Sequence, residues 1–335
     1  MPAGKLRWGI LGVAKINERL IPRFSRTKNA ELLAIASRSL DRAKAAAQAS
    51  GIARAYGSYE ALLDDPDIDA VYNPLPNTLH AEWTKKAADK GKHILCEKPL
   101  APSAAEAQHV VDYCRSKKVC LMDGFMWPHH PRTAKLRDIL DSGTLGDIRR
   151  VSGSFTFRMP KLDPSNIRLR PELAGGSLLD VGCYPVFGIR WALRTEPIEA
   201  FARAEFTNGV DVAMTGMLRF PHDRFASFDC GFTVPTRQHL EITGTNGVLS
   251  IDDMWIPPDP AEFHIFRDDD SVERFTVEGE DQIVHMIENF GRSVLEGVPL
   301  PVDPQEAVKT LCVLDALAES ARKGSPIAIK HHEAC

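Results

Sequence analysis

Apolar positions in the first third of the chain fall in short continuous runs. Leu6–Leu11, Ala30–Ala36 and residues 70–72, 94–96 and 119–122 are each too short for a core helix and are nearly all apolar, Arg7 and Glu31 being the charged exceptions. That is the pattern of strands covered on both faces in a parallel sheet. Helices are expected between them. One begins after Gly12, one is capped by Ser39 and ended by Gly51, and a short one opens at Ser58. Another runs from about residue 79 to Gly91, and the last follows Ser103-Ala104-Ala105-Glu106, a capping box. Strand and helix in alternation predict a doubly wound α/β sheet, a Rossmann domain.

Beyond residue 124 the periodicity changes. Residues 149–159, 200–206, 211–220, 224–232 and 238–243 alternate apolar with polar, which predicts an antiparallel sheet with one wet face. Helices are expected over 132–141, 177–193, 281–295 and 304–323. The chain therefore divides into residues 1–124, a nucleotide-binding domain, and 125–335, an α+β domain with a large, mostly antiparallel open sheet, closed by the helix near 304–323. An open sheet face favours self-association, and a homodimer is expected.

Composition narrows the possibilities. A length of 335 residues exceeds one ordinary core and agrees with two domains. A net charge of −4 gives no electrostatic reason to expect nucleic acid or an anionic membrane as partner. No apolar run is long enough for a bilayer, and the polar start carries no signal-peptide pattern. The seven cysteines are scattered without a C-x-x-C, so reduced thiols and a cytoplasmic location are expected. His129-His130 and His331-His332 are adjacent pairs rather than i, i+4 ligand pairs, and no metal is expected. Residues 331–335 read as a loose tail.

Three stretches carry candidate chemistry. Gly12-Val13-Ala14-Lys15-Ile16-Asn17 follows the first strand where a helix begins, the place at which backbone N–H groups and the helix dipole hold a pyrophosphate. Ala14 and Asn17 stand at the second and third positions of a G-x-G-x-x-G. After the second strand comes Ser37-Arg38-Ser39, with Arg42 one turn on. A carboxylate there would hold a ribose 2′-hydroxyl, whereas arginines and hydroxyls pair with a 2′-phosphate, so NADP is expected rather than NAD. Ser39 serves equally as a plain helix cap.

In His93-Ile94-Leu95-Cys96-Glu97-Lys98-Pro99-Leu100, a buried strand ends in a lysine that the following proline restrains. Open α/β sheets place their ligands at that strand end. Further on, Asp180 and Tyr184 lie four apart in the helix expected after Gly175-Gly176. Tyr184 is a candidate proton carrier whose phenol a nearby ammonium would activate, with Asp180 positioning either group. Equally, Tyr184 is a packed core tyrosine and Asp180 a first-turn charge favoured by the dipole.

Gly12, Ser37-Arg38, Tyr72-Asn73-Pro74-Leu75-Pro76-Asn77-x-x-His80, Glu97-Lys98-Pro99 and Gly175-Gly176-x-Leu178-Leu179-Asp180-Val181-Gly182-Cys183-Tyr184-Pro185 occur in one order. With them the chain resembles the Gfo/Idh/MocA oxidoreductases over nearly its whole length. It is most similar to the branch with NADP-dependent D-xylose dehydrogenase, dimeric dihydrodiol dehydrogenase and glucose–fructose oxidoreductase, which has tyrosine rather than histidine at 184. The resemblance implies that Lys98 and Tyr184 are the catalytic pair, assisted by Asp180. It also implies that Leu75, Pro76, Asn77, His80, Glu97 and Lys98 line the nicotinamide half of the cofactor site, and that Arg168 reaches cofactor or substrate. Asp123-Gly124-Phe125-Met126-Trp127-Pro128 departs from the family's common Glu-Ala-Phe-Met-Tyr-Arg. The long N-terminal arm of glucose–fructose oxidoreductase has no counterpart, so exchangeable cofactor is expected. The activity expected is hydride transfer between NADP(H) and a hydroxyl or carbonyl carbon of a sugar-like substrate. The alternatives are a trans-dihydrodiol dehydrogenase or dicarbonyl reductase with an aromatic-walled site (Phe125, Trp127, Phe155, Phe157, Trp255), or a non-catalytic NADP-binding sensor.

Overall fold

The computed structural model describes residues 4–279 and 281–330; the tail with His331-His332 and Cys335 lies outside the described residues. The first sheet is built from β1 (Leu6–Leu11), β2 (Ala30–Ala36), β3 (Arg54–Tyr56), β4 (Ala70–Asn73), β5 (His93–Cys96) and β6 (Leu121–Asp123). Its strands lie in the order β3-β2-β1-β4-β5-β6, and every neighbouring pair is parallel. The intervening helices are α1 (Asn17–Phe24), α2 (Leu40–Ser50), α3 (Tyr59–Leu63), α4 (Asn77–Asp89) and α5 (Ala104–Ser116). Their ends have local causes. Ser39, Ser58 and Ser103 each accept a backbone N–H three residues on, and Gly51 ends α2 in the left-handed conformation. β3 is an edge strand of three half-buried residues, too short for a periodicity to show.

The chain continues through α6 (Pro131–Asp141), β7 (Ile148–Thr156), α7 (Cys183–Leu193), β8 (Glu199–Thr207), β9 (Val210–Phe220), β10 (Arg224–Gly231), β11 (Leu240–Gly244), β12 (Gly247–Ile251), β13 (Ala261–Phe266) and β14 (Val272–Val277). Then come α8 (Gln282–Glu296), α9 (Gln305–Lys323) and β15 (Ile327–Ala328). The second sheet has nine strands in the order β14-β13-β12-β11-β7-β10-β9-β8-β15. It is antiparallel apart from the β7–β10 pair. Alternation along β9 buries Val210, Val212, Met214, Leu218 and Phe220 and turns Thr215, Met217 and Arg219 to solvent. α7 approaches the buried face through small residues. A Cβ on Gly153 would come 2.9 Å from Pro185, and one on Gly188 would come 2.6 Å from the Trp255 ring.

Residues 4–129 and 281–307 form one compact unit, and 130–279 with 308–330 form the other. The expected division makes a single cut between 124 and 125, whereas these units share the chain in several segments. The chain leaves the first unit at His129 and re-enters it at Asp281. Packing explains the return. Ile283, Met286, Ile287 and Phe290 of α8 lie in one apolar cluster with Trp8, Ile10, Leu20 and Phe24. The Trp8 ring sits 5.0 Å from Phe290 and 5.6 Å from Phe24. Asp281 accepts the Ile283 N–H as the cap of α8 and pairs with Arg23 at 2.7 Å. Replacing Phe290 with alanine is expected to destabilise the first unit by about 3–5 kcal/mol, because a fully buried ring leaves a cavity. Urea unfolding measures it; a loss below about 1 kcal/mol would remove α8 from this core.

Candidate active site

In the first unit the carboxyl ends of four adjacent strands present the predicted residues in sheet order. β2 leads to Ser37, β1 to Gly12, β4 to Leu75 and β5 to Lys98. The strand order reverses between β1 and β4, the switch point at which open α/β sheets bind ligands. Gly12 has φ +111°, and a Cβ there would stand 2.9 Å from Leu75 Cδ2, so only glycine leaves the cradle open. Val13, Ala14 and Ile16 are half-buried and Lys15 is exposed. Asn17 replaces the third glycine with a function of its own: buried, it donates Nδ2–H to the Gly12 carbonyl at 2.8 Å and closes the loop.

Ser37 is buried, and its N–H is donated to Tyr56 of β3. Arg38 and Arg42 are exposed. Arg42 reaches from α2 to the first loop, donating Nη2–H to the Val13 carbonyl at 2.9 Å. Basic groups thus flank the cradle where a 2′-phosphate would lie, and no carboxylate stands among residues 37–39. The cradle, its helix N-terminus and these arginines fit a phosphorylated dinucleotide.

Across the switch point, Leu75, Pro76 and Asn77 lead into α4, with Asn77 its first residue. His80 joins this loop to the lysine segment. Its Nδ1 lies 2.7 Å from the Pro99 carbonyl and its Nε2 lies 2.6 Å from the Leu75 carbonyl. Burial is the stronger influence and pushes the imidazole down to about 4, against both carbonyls, with the Lys98 charge adding to the fall. The ring is therefore neutral near pH 7 and tethers Pro99, across a cis peptide, to the loop. Glu97 accepts the Tyr72 hydroxyl at 2.6 Å. Burial raises its carboxyl above the usual range, although Lys98 and Tyr72 oppose the rise.

The second unit carries Arg168, Asp180 and Tyr184. The helix expected from 177 is two structures: a π-helical stretch over Leu178–Gly182, then α7. Asp180 lies in the first and Tyr184 in the first turn of the second, so the expected single α-helical face is corrected. π-Stretches of this kind recur at functional sites. Gly175 and Gly176 admit the loop before them; a Cβ on Gly175 would meet the Arg168 carbonyl at 2.6 Å. The Gly176 N–H is donated to that same carbonyl at 2.8 Å. Arg168 in turn pairs through Nε with Asp180 at 2.6 Å, and its guanidinium lies 5.9 Å from the Phe157 ring.

Tyr184 stands edge-on to Phe155 at 5.0 Å and 6.0 Å from Trp255, which donates its indole N–H to the Ser154 carbonyl. Of the aromatics named from sequence, Phe155 and Trp255 flank Tyr184, Phe157 stacks near Arg168, and Phe125 and Trp127 are buried in the first unit. Sequence reasoning missed Asp211 of β9, which accepts both the Ser177 hydroxyl at 2.6 Å and the Leu178 N–H at 2.7 Å and so starts the π-stretch. Its signal was a carboxylate inside an apolar alternation. Arg132 was missed too. Fully buried, it donates to the Asp252, Asp253, Met254 and Glu262 carbonyls and fixes the loop leading into Trp255. Among the described residues no group of three or more His, Cys, Asp or Glu is placed to hold a metal.

A dinucleotide cradle at a Rossmann switch point, followed by a unit built on an open sheet, defines a two-unit oxidoreductase. Residues 6–125 match the oxidoreductase family with an NAD-binding Rossmann fold, and residues 133–250 match the GFO/IDH/MocA C-terminal domain. The chain belongs to the Gfo/Idh/MocA oxidoreductases. It is 39% identical to a D-xylose 1-dehydrogenase (NADP(+)) of Haloferax volcanii over 96% of this chain and 99% of that one. It is 34% identical to a dTDP-3,4-didehydro-2,6-dideoxy-alpha-D-glucose 3-reductase of Actinomadura kijaniata, over 96% and 97%. A solved 3-ketoreductase of Actinomadura kijaniata in complex with NADP and TDP-benzene superposes with a TM-score of 0.87 at 33% identity, over 95% of this chain and 98% of that one.

The neutral His80 ties stability to pH. A ring whose folded value lies near 4 and whose unfolded value is near 6.5 contributes stability that is complete above pH 6.5 and is lost as pH falls towards 4. His80→Gln carries no such term. Its stability deficit against wild type, measured by urea unfolding, is expected to narrow by roughly 2–3 kcal/mol between pH 7 and pH 4.5. An unchanged deficit would mean that His80 does not titrate in this way.

Proposed function

We propose that the protein is an NADP(H)-dependent dehydrogenase that oxidises a hydroxyl carbon of a sugar-like substrate, an aldose such as D-xylose or glucose, and reduces the carbonyl in the reverse direction. The observation that carries this reading is Lys98 at the end of β5, on the same sheet edge as the Gly12 cradle and two strands from it. The NADP-dependent D-xylose dehydrogenase and the dTDP-sugar 3-reductase among the relatives support the same chemistry.

The residues divide the work along the sheet edge. Gly12, Val13, Ala14, Lys15 and Ile16 hold the pyrophosphate, and Ser37, Arg38 and Arg42 hold the 2′-phosphate. Leu75, Pro76, Asn77, His80 and Glu97 shape the nicotinamide side, and Arg168 contributes from the second unit. Bound there, the nicotinamide supplies the hydride acceptor or donor. Tyr184 takes the hydroxyl proton in oxidation and returns it in reduction. The Lys98 ammonium favours the phenolate and stabilises negative charge growing on the substrate oxygen. Asp180 assists by holding Arg168 in place.

The same reading makes the protein a cytoplasmic homodimer. The six described cysteines are free thiols, and among the described residues no helix is long and apolar enough to cross a membrane. The outer face of the second sheet exposes Met217 and Phe225 on adjacent strands, with Phe201 opposite Met217. An apolar patch of this kind marks an interaction surface. Replacing both Met217 and Phe225 with arginine is expected to convert a dimer to monomer in light scattering; an unchanged mass would place the interface elsewhere.

Turnover is tested by following reduced nicotinamide on adding aldoses, inositols or dihydrodiols with NADP+ and then NAD+. Oxidation of an aldose with NADP+ favoured is the expected result. Lys98→Ala and Tyr184→Phe are each expected to lower kcat by about 10²-fold or more while leaving the circular dichroism unchanged. Near wild-type turnover in both variants would remove them from the catalytic step.

A further inference from the structure

A strand residue outside the site motifs holds the segment that leads to Tyr184. Asp211 lies near the start of β9, paired with Phe206 of β8 beside the bulge between Glu205 and Phe206. A single oxygen of its carboxyl, Oδ2, accepts the Ser177 hydroxyl at 2.6 Å and the Leu178 N–H at 2.7 Å. The other oxygen faces Gly176, where φ is +114° and a Cβ would collide with it. Three consecutive residues are thus seated on one carboxyl group.

This arrangement replaces an ordinary helix cap. A serine ahead of a helix usually has an extended backbone and accepts an N–H from the first turn. Ser177 is already helical, with φ −71° and ψ −31°, and its side chain accepts no such bond. It is buried and donates its hydroxyl to Asp211, so β9 supplies the acceptor that the first N–H of the stretch requires. The far end is fixed by the adjoining strand. A Cβ on Gly182 would come 2.8 Å from Cys230 Sγ of β10, which also lies 3.7 Å from the Ser177 hydroxyl oxygen. Residues 178–182 are therefore held against β9 and β10, and Tyr184 follows with its ring beside Phe155 and Trp255.

The form of the stretch sets the direction of what comes after it. A π-turn holds one residue more than an α-turn, so relaxation to an α-helix would swing Tyr184 by about 100° relative to Asp180. One of two contacts would then be lost, the pairing of Asp180 with Arg168 at 2.6 Å or the edge-on packing of Tyr184 against Phe155 at 5.0 Å.

We propose that Asp211 is a positioning residue for Tyr184: from β9 it holds the π-stretch and so sets the direction of the phenol. The catalytic consequence rests on Tyr184 carrying the proton as read above; the placement of the ring does not.

Nuclear magnetic resonance of protein carrying tyrosine labelled with ¹³C at Cζ tests the placement directly. The chain has five tyrosines, and the signal of Tyr184 is the one missing in Tyr184→Phe. In Asp211→Ala that signal is expected to move while the other four stay in place. Asp211→Asn, whose amide oxygen can accept both donors, is expected to leave it near its wild-type position. Ser177→Ala removes one of the two bonds and is expected to move the same signal by less, which keeps the test decisive if Asp211→Ala does not fold. A Tyr184 signal unmoved in the folded alanine variants overturns the proposal. A shift spread over all five tyrosines does so too, since it marks a general loss of structure. A signal as displaced in Asp211→Asn as in Asp211→Ala would exclude the seating of Ser177 and Leu178 as its cause. Turnover supplies the second readout. Asp211→Ala is expected to lower kcat by about 10-fold or more with KM for NADP+ within about twofold of wild type; an unchanged kcat would remove Asp211 from the positioning of a catalytic group. A displaced Tyr184 signal in a protein that oxidises no sugar would keep the positioning and discard the functional reading.

Discussion

Parallel pairing obliges every strand of the first sheet to deliver its carboxyl end to one edge, and the local chemistry of that edge depends on this. Right-handed crossovers then set which segment stands beside which. Because the order runs β3-β2-β1-β4-β5-β6, the arginines after β2, the glycine cradle after β1, the loop after β4 and the lysine after β5 form one row without any long insertion. The row is held by backbone contacts rather than by exposed ion pairs. Asn17 and Arg42 close on carbonyls of the first loop, and His80 stands between those of Leu75 and Pro99. Such links change little with salt, whereas exposed pairs such as Lys86–Glu82 weaken as ionic strength rises.

Much of this was legible in the chain. β1 and β2 are mostly apolar runs, with Arg7 and Glu31 their charged members, between polar turns, so their ends could be read to the residue. Serine caps announced α2, α3 and α5 for the same reason: a side-chain acceptor three residues ahead of an unpaired N–H has few other uses. β12 to β14 were not legible. They are short, they lie among prolines and acidic turns, and β14 is mostly wet, so alternation never accumulates. The helical character of α8 was plain from its apolar stripe, but a stripe says that a helix packs and not upon what.

The site divides in the same manner. The candidate lysine and the glycine cradle stand at turns, where residue type is tied to backbone form, and the candidate tyrosine stands in the first turn of a helix. Asp211 and Arg132 act through partners distant in sequence, which local spacing does not record. The π-stretch was hidden for a related reason. Its sequence, Leu178 to Gly182, suits an α-helix equally well, and the choice is made by Asp211 and the two preceding glycines.

The return of α8 to the first sheet also bears on how the protein is made. Trp8 emerges from the ribosome long before Phe290, against which its ring packs. Until then one face of the nucleotide-binding sheet lacks part of its cover, and the apolar side chains around Trp8 are open to other contacts. Cofactor binding to a partly synthesised chain would therefore meet a sheet still missing a helix, and a fragment cut after residue 124 would carry the motif without the fold that steadies it. Maturation waits on the distal helix.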